Sequence, residues 1–379
     1  MRTLAILTNG GDTCSLNAVI KSIRDNAIAA GYPRVLGFED GFRGIMKKAV
    51  KLLTWEHIDA GQGGTILRSA RDSPHTDEQK KNVFDTLKEL EINALVVIGG
   101  DGSLGATRDL YEWSGAKDYN IQILGFPRTI DNDIRTNTFE GNTEVALCPG
   151  YPSAALKIAR LTKDLRTTAM STRRIFTIET MGRDAGWLAA ATILGGAETV
   201  LIPEVELTKD DHDRLYDRVA KLYGTHGHVI IAVSEGFKIE GKQEMDAAFG
   251  ARKLGGAGVR IAKMVEQGLG ARGLSVEVRC QHADYIPRMG SPSAYDIRFA
   301  AVLGDQIFSM LEDGRNGELP TPIRVAKSDG LNASSISHIP LSRAGQLFFP
   351  VKDFYDLGEF NVTDSFIDFL KKFVDPREI

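Results

Sequence analysis

The sequence predicts a doubly wound α/β fold in two lobes with mainly parallel sheets. Short continuous apolar runs, such as Ala94-Leu95-Val96-Val97-Ile98, alternate with segments of helical periodicity. Strands that are apolar throughout belong to parallel sheets covered on both faces. Glycine clusters follow several of these runs, at Gly10-Gly11 and Gly99-Gly100, where such sheets bind their ligands. The length, 379 residues, favours two cores over one.

In chain order, residues 3–7 read as a strand, 16–30 as a helix and 35–38 as a strand. Residues 76–90 begin with Thr76-Asp77-Glu78-Gln79, an N-cap followed by first-turn acids, and read as a helix. Residues 94–98 form a buried strand, with a helix expected from about Ser103 and a further strand at 121–124. The second half repeats the alternation: strands at 174–178, 199–202, 228–233 and 274–279, and helices at 187–194, 210–223, 256–269 and 295–312. The tail after Gly314 is loop-rich and ends in a short amphipathic helix over 363–373. No low-complexity linker separates the lobes.

The 42% hydrophobic and 25% charged fractions are those of a globular protein. A net charge of -4 gives no reason to expect a nucleic acid or an anionic membrane as partner, so any phosphate site must be local. Cys14, Cys148 and Cys280 are scattered, lack metal-ligand spacing and read as reduced thiols. No apolar run approaches a membrane span, and the chain enters a strand without a signal peptide, so a cytoplasmic location is expected.

The chemistry concentrates at strand ends. Gly99-Gly100-Asp101-Gly102-Ser103 follows a buried strand and opens a helix. The glycines let backbone amides approach a phosphate, and Asp101 suits Mg²⁺ directly or through water. The pattern is neither G-x-G-x-x-G nor G-x-x-x-x-G-K-[ST], which excludes the dinucleotide fingerprint and the P-loop. Gly125-Phe126-Pro127-Arg128-Thr129-Ile130-Asp131-Asn132-Asp133 places two carboxylates beside an arginine and a hydroxyl. One carboxylate there suits proton abstraction and the other a metal, though an Asp/Asn-rich turn reads the same way in isolation. Gly10-Gly11-Asp12 and Gly63-Gly64-Thr65, with Arg68 and Arg71 following, are weaker signals of the same kind.

These motifs, together with Met181-Gly182-Arg183, Ser234-Glu235-Gly236 and the run from Arg279 through Tyr285 to Arg288, occur in an order and spacing that resembles bacterial-type 6-phosphofructokinases over residues 3–310. Leu165-Arg166-Thr167-Thr168-Ala169 and Ala185-Gly186-Trp187 resemble the branch of mixed ATP/pyrophosphate use. The resemblance implies the phosphofructokinase fold: two Rossmann-like lobes with the active site in the cleft between them. The expected division is 1–142 plus 287–350 for the nucleotide lobe, 143–286 for the sugar-phosphate lobe and 351–379 as a C-terminal extension. Asp131 corresponds to the base that takes the proton from the sugar hydroxyl, with Thr129 on the sugar and Arg183 in the catalytic group. Asp101 corresponds to the Mg²⁺ carboxylate, with Asp133 near the metal. Gly10, Arg71, Asp72, Gly100, Gly102 and Ser103 correspond to nucleotide-phosphate contacts. Met181, Gly182, Arg183 and Glu235 correspond to sugar contacts, and Arg174, Arg279 and Arg288 with Tyr285 to the cluster gripping the 6-phosphate. In the family two of those arginines come from a neighbouring subunit, which implies a homodimer or homotetramer. Trp187, among alanines on a helix, is expected in a core or interface.

The sequence departs from the family pattern at several points. Thr13-Cys14-Ser15-Leu16-Asn17 lacks the usual proline and glycine, and Cys148-Pro149-Gly150-Tyr151-Pro152 stands where a plain helix start is expected, in a longer segment than usual. At the bacterial effector site Lys21 keeps a cation, but Asp25 replaces an arginine. The resemblance makes Gly102 and Arg128 the residues of donor choice. A glycine at 102 leaves room for the α-phosphate of ATP, where pyrophosphate users carry an aspartate; Arg128 pulls toward pyrophosphate. The expected activity is transfer from Mg²⁺-ATP to the 1-hydroxyl of fructose 6-phosphate. The alternatives are pyrophosphate as donor, a related ketose phosphate as acceptor, a non-catalytic phosphosugar-binding regulatory subunit, and a nicotinamide-dependent oxidoreductase, which no dinucleotide fingerprint supports.

Overall fold

The computed structural model describes residues 2–117, 119–134, 147–239, 245–246, 251–252, 255–320, 338–343 and 350–379. The chain divides into two compact units: Met1–Ser153 with Arg288–Phe348, and Ala154–Pro287 with Phe349–Ile379. In unit 1 it runs β1 (Thr3–Asn9), α1 (Leu16–Ala29), β2 (Arg34–Phe38), α2 (Gly41–Met46), β3 (Val50–Leu52), α3 (Asp77–Glu89), β4 (Ala94–Gly99), α4 (Asp101–Gly115) and β5 (Gln122–Pro127). Helix α5 (Tyr151–Thr172) leads into unit 2, with β6 (Ile175–Thr180), α6 (Trp187–Ala191), β7 (Thr199–Leu201), α7 (Lys209–His226) and β8 (Val229–Ser234). A two-stranded ribbon, β9 (Met245–Asp246) and β10 (Ala251–Arg252), precedes α8 (Ala257–Gly270) and β11 (Val278–His282). The chain returns to unit 1 as α9 (Ala294–Glu312), β12 (Glu318–Pro320) and β13 (His338–Pro340). It ends in unit 2 with the ribbon β14 (Tyr355–Asp356) and β15 (Asn361–Val362) and helix α10 (Asp364–Leu370).

Unit 1 holds a seven-stranded sheet in the order β13-β12-β5-β4-β1-β2-β3. Its five inner strands are parallel, and only the outermost pairs, β2–β3 and β12–β13, are antiparallel. Every residue of β1 and β4 is buried, as the continuous apolar runs require. Ala5, Leu7, Phe38, Leu95 and Val97 meet Phe42, Phe84, Leu87 and Leu110 in one core. The Thr76 cap is a complete capping box with Gln79, each side chain accepting from the other residue's backbone N–H. Helix α4 starts at Asp101, two residues before the expected position, because extended Gly100 serves as its N-cap and leaves Asp101 in the first turn. The strand expected at 121–124 runs on through Pro127, so the loop bearing Asp131 begins at Arg128.

Unit 2 holds a four-stranded, wholly parallel sheet in the order β11-β6-β8-β7. Ile175, Val229, Ile231 and Val233 pack with Leu215, Val219, Ile261 and Val265. The strand expected at 274–279 is displaced: pairing begins only at Val278, opposite Ile175. Leu274 and Val276 pack against the core without joining the sheet, which is how an apolar alternation reads as strand without being one. The helix expected at 187–194 is α-helical only to Ala191 and tightens to a 3₁₀ turn over Thr192–Gly195, closed by left-handed Gly196.

Residues 351–379, expected as an extension, belong to unit 2 for a specific reason. Trp187 is fully buried, and its ring lies 5.6 Å from Phe366 and 5.9 Å from Phe369 of α10. Phe360 adds a backbone bond, its carbonyl accepting from Val200 N of β7 at 2.8 Å. The tail therefore completes a core, and Trp187 is a core residue. Helix α5 starts at Tyr151 despite Pro149 and Pro152, since proline is tolerated in a first turn. The buried Asp296 carboxylate accepts from Gly150 N at 2.9 Å and from Ser153 Oγ at 2.5 Å there. Residues 135–146, part of the long segment between Asp133 and Arg174, lie outside the described residues.

Candidate active site

In unit 1 the carboxyl ends of β1, β4 and β5 bring three loops together. Gly10 takes the left-handed φ of +92° and donates its N–H to Ala70 O at 2.8 Å. The Asn9 amide joins the loops: its oxygen accepts from Ser103 Oγ at 3.1 Å, and its nitrogen donates to the carbonyls of Ala70 and Asp72 at 2.9 and 3.2 Å. Gly10, Ala70–Asp72 and Ser103 are thus held as one surface. A Cβ at Gly99 would lie 2.4 Å from Ser103 Cβ, so the strand can enter this turn only with glycine there. A Cβ at Gly102 meets nothing within 4 Å, and the residue is exposed in the first turn of α4. Arg71 is exposed, whereas the Asp72 carboxylate is taken by Arg43 of α2, a pairing without a local signal in the sequence.

The loop after β5 is tightly specified. Thr129 N donates to Pro149 O at 3.2 Å, and Thr129 Oγ1 accepts from Asp131 N at 3.0 Å while bonding Asp133 Oδ1 at 3.2 Å. Asn132 adopts a left-handed φ of +49°, and its side chain accepts from Cys148 N at 2.8 Å. Burial, with the charges of Asp131 and Asp101 adding to it, pushes the Asp133 carboxyl up to about 7. Asp133 thus stands in the field of two further carboxylates, a repulsion that a divalent cation would relieve, while the ligand atoms of the three do not all lie within 4.8 Å of one another.

Arg128 departs from a simple phosphate-binding role. Its side chain is only 2% exposed, its Nη2 donates to Asn9 O at 3.3 Å, and its Nε has no hydrogen-bond partner among the described residues. Burial, assisted by the Arg288 charge, lowers its guanidinium to about 9, against the pull of Asp12 and Asp131. Arg288 falls in unit 1, where its Nη1 donates to Asp12 O at 2.7 Å. Cys14, in the unusual first loop, directs its thiol at the carbonyls of Arg288 and Met289 (3.3 and 3.4 Å), which ties 13–15 to 288–289.

In unit 2 the loops after β6 and β8 interlock. Gly182, at φ +131°, donates its N–H to Glu235 Oε1 at 3.2 Å, and Ser234 Oγ donates to Gly182 O at 2.5 Å. Gly236 is obligatory, because a Cβ there would fall 1.7 Å from Arg183 O. Met181, Gly182, Arg183 and Glu235 are therefore grouped, with the Arg183 side chain exposed. Arg174 and Arg279 converge on Glu277, which pairs with both. Tyr285 is 67% exposed. Sequence reasoning missed Glu204, whose Oε1 accepts from Gly186 N at 2.8 Å and whose Oε2 is buried without a partner among the described residues. Burial raises its carboxyl to about 7. At the supposed effector position Lys21 and Arg24 both pair with Asp25 at 2.5 Å, so the local cations are neutralised within α1.

A profile of the family described as Phosphofructokinase matches residues 3–311. The chain belongs to that family. It is 33% identical over 325 residues to a pyrophosphate–fructose 6-phosphate 1-phosphotransferase of Dictyoglomus thermophilum, covering 83% of this chain and 87% of the relative. It is 31% identical to an ATP-dependent 6-phosphofructokinase of Natranaerobius thermophilus, covering 84% and 89%. The crystal structure of a pyrophosphate-dependent phosphofructokinase from Nitrosospira multiformis superimposes with a TM-score of 0.84 at 23% identity, over 98% of this chain and 92% of that one, and shows the shared fold. The chain is accordingly an enzyme that transfers phosphate to an alcohol, phosphorylating fructose 6-phosphate with ATP or pyrophosphate. That removes the oxidoreductase and the non-catalytic subunit. No helix among the described residues is long and apolar enough to cross a membrane.

Proposed function

We propose that the chain is an ATP-dependent 6-phosphofructokinase acting on the 1-hydroxyl of fructose 6-phosphate, with Asp131 as the base. The observation that carries the choice of donor is Gly102. Its Cβ direction is open, and it stands exposed in the first turn of α4, where amides and helix dipole favour phosphate and no side chain blocks a chain longer than pyrophosphate. Gly10, Arg71, Asp72, Gly100 and Ser103 form the rest of the donor surface. Asp101 and Asp133 would hold Mg²⁺, which would supply charge to neutralise the phosphate oxygens. Thr129 fixes the loop so that Asp131 is presented to the acceptor hydroxyl, takes its proton and leaves the oxygen free to attack the terminal phosphorus.

Met181, Gly182, Arg183 and Glu235 hold the sugar, and Arg174, Arg279, Arg288 and Tyr285 grip its 6-phosphate. Each charge-assisted bond there contributes about 1.5–3 kcal/mol, spent on positioning the reacting hydroxyl. The exposed Arg279 and Tyr285 suit a homo-oligomer in which a neighbouring subunit completes the site.

A second reading, pyrophosphate as donor, is favoured by relatives with that printed specificity. Arg128 adds little to it, since its guanidinium is buried against Asn9 O. A coupled assay of ATP, ADP and pyrophosphate against fructose 6-phosphate and other ketose phosphates, with and without EDTA, separates the two. The expected result is fastest Mg²⁺-dependent turnover with ATP and fructose 6-phosphate. Pyrophosphate outrunning ATP by about tenfold in kcat/KM, about 1.4 kcal/mol, would overturn the donor assignment.

A further inference from the structure

Glu179, Cys280 and His282 form a cluster in unit 2 that the phosphoryl transfer does not use. It arises from the register of two neighbouring parallel strands: β6 and β11 pair so that Thr177 stands opposite Cys280 and Glu179 opposite His282. The two-residue period of a strand then puts all four side chains on one face of the sheet. One ligating atom from each of Glu179, Cys280 and His282 lies within 4.8 Å of the other two. His282 lies between the other two, its Nε2 3.8 Å from Cys280 Sγ and its Nδ1 3.9 Å from Glu179 Oε1, and an ion would take only one of these two nitrogens. Metal bonds of about 2.3 Å to sulfur and about 2.0–2.2 Å to nitrogen or oxygen, at tetrahedral angles, hold ligand atoms roughly 3.4–3.6 Å apart. With one atom from each side chain the separations stay within 4.8 Å, so the half-exposed His282 ring must turn inward by about an ångström to close on an ion.

The carboxylate is fixed in advance. Glu179 is 6% exposed, its Oε1 accepts from Gly256 N at 2.9 Å and its Oε2 from Gly258 N at 2.6 Å. Each oxygen keeps a second acceptor direction. Hydrogen bonds of this kind orient ligands at metal centres. The His282 side chain is 41% exposed, which gives an ion a path in and leaves room for water.

We propose that Glu179, Cys280 and His282 bind one divalent cation of the zinc class, with water in the fourth position. A thiolate and an imidazole select a borderline-soft ion over Mg²⁺. Binding releases the thiol proton to solvent and changes no oxidation state. The Asp101, Asp131 and Asp133 carboxylates belong to unit 1, and an all-oxygen set of that kind suits a hard ion instead.

The test uses the full chain, stripped with a chelator and titrated with Co²⁺ in excess Mg²⁺. The expected result is one equivalent of Co²⁺ per chain, with a thiolate-to-cobalt charge-transfer band and tetrahedral ligand-field bands that one equivalent of Zn²⁺ removes. Cys280→Ser abolishes the charge-transfer band. His282→Ala, at a half-exposed position, keeps the thermal transition of the metal-free protein while weakening Co²⁺ binding by at least about tenfold. Absence of the band, its displacement by Mg²⁺, or its survival in both variants would overturn the proposal. Survival would point to Cys14 or Cys148, both of which are buried.

Discussion

Replacing Gly102 by aspartate separates the donor from the fold. The position has no neighbour within 4 Å of a new Cβ and φ outside the left-handed range, so the folded chain accommodates the side chain without strain. It lies in the first turn of α4, where removing a glycine and adding a carboxylate together stabilise the helix by about 0.5–1.5 kcal/mol. The urea midpoint therefore holds or rises slightly. A carboxylate about 4 Å from a phosphate oxygen costs about 4 kcal/mol at an effective dielectric of roughly 20. Because residue 102 is exposed, screening reduces this to roughly 2–3 kcal/mol, or about a 30- to 150-fold loss in kcat/KM for ATP. Pyrophosphate, which has no α-phosphate and nucleoside to pass that point, loses far less, so the ATP/pyrophosphate ratio falls by nearly the same factor. The assay is coupled turnover with each donor over a range of concentrations, beside a urea melt. An unchanged melt with ATP turnover within about twofold of the parent would refute the reasoning, since the open space at Gly102 would then not be where the donor lies.

Asp131→Asn keeps the side-chain shape and the Thr129 contact to its backbone, so far-UV circular dichroism should be unchanged while kcat falls by about 10²–10⁴; near-parental kcat would remove Asp131 as the base. Glu204, raised from 4.5 to about 7, binds more protons folded than unfolded between those values. Its stabilising effect is complete below pH 4.5 and is lost as pH rises toward 7, with a slope of at most about 1.4 kcal/mol per pH unit. Glu204→Gln should flatten that part of the pH–stability curve measured by urea melts, and an unchanged slope would refute the assignment. Phe366→Ala should destabilise the protein by about 3–5 kcal/mol in the same melts, because the ring is fully buried against Trp187; a loss under about 1 kcal/mol would mean that α10 is not part of the core.

Much of the fold was legible because parallel strands are apolar on both faces, so β1, β4 and β8 announce themselves as unbroken runs. Edge elements lack that signature. Val50-Lys51-Leu52 is a half-exposed antiparallel edge with nothing in its composition to mark it. The 274–279 misplacement has the opposite cause, apolar residues that pack without pairing. At the site, the loops could be read from glycines and carboxylates, since φ above zero and close backbone approach demand the first and phosphoryl chemistry the second. What could not be read were partners set by tertiary contact: Arg43 on Asp72, Glu277 between Arg174 and Arg279, Asp296 at the start of α5, and the inward turn of Arg128. Arg128 shows the limit best. Its residue type announces a phosphate ligand, and only its burial shows that it is committed to the end of β1.

The discontinuity of unit 1 has a consequence for synthesis. Its sheet is interrupted after β5 and resumes only at β12, with α9 supplying the partner for α1. The strands of the four-stranded sheet, by contrast, are all present once residue 282 has left the ribosome. Neither unit is finished at that point: unit 1 lacks β12, and unit 2 lacks Phe360 and α10, which complete its core. During elongation β1 to β5 wait with β5 as an open edge. A pause or truncation between 282 and 318 would expose that edge, and this is the stretch of translation in which aggregation and chaperone capture should concentrate.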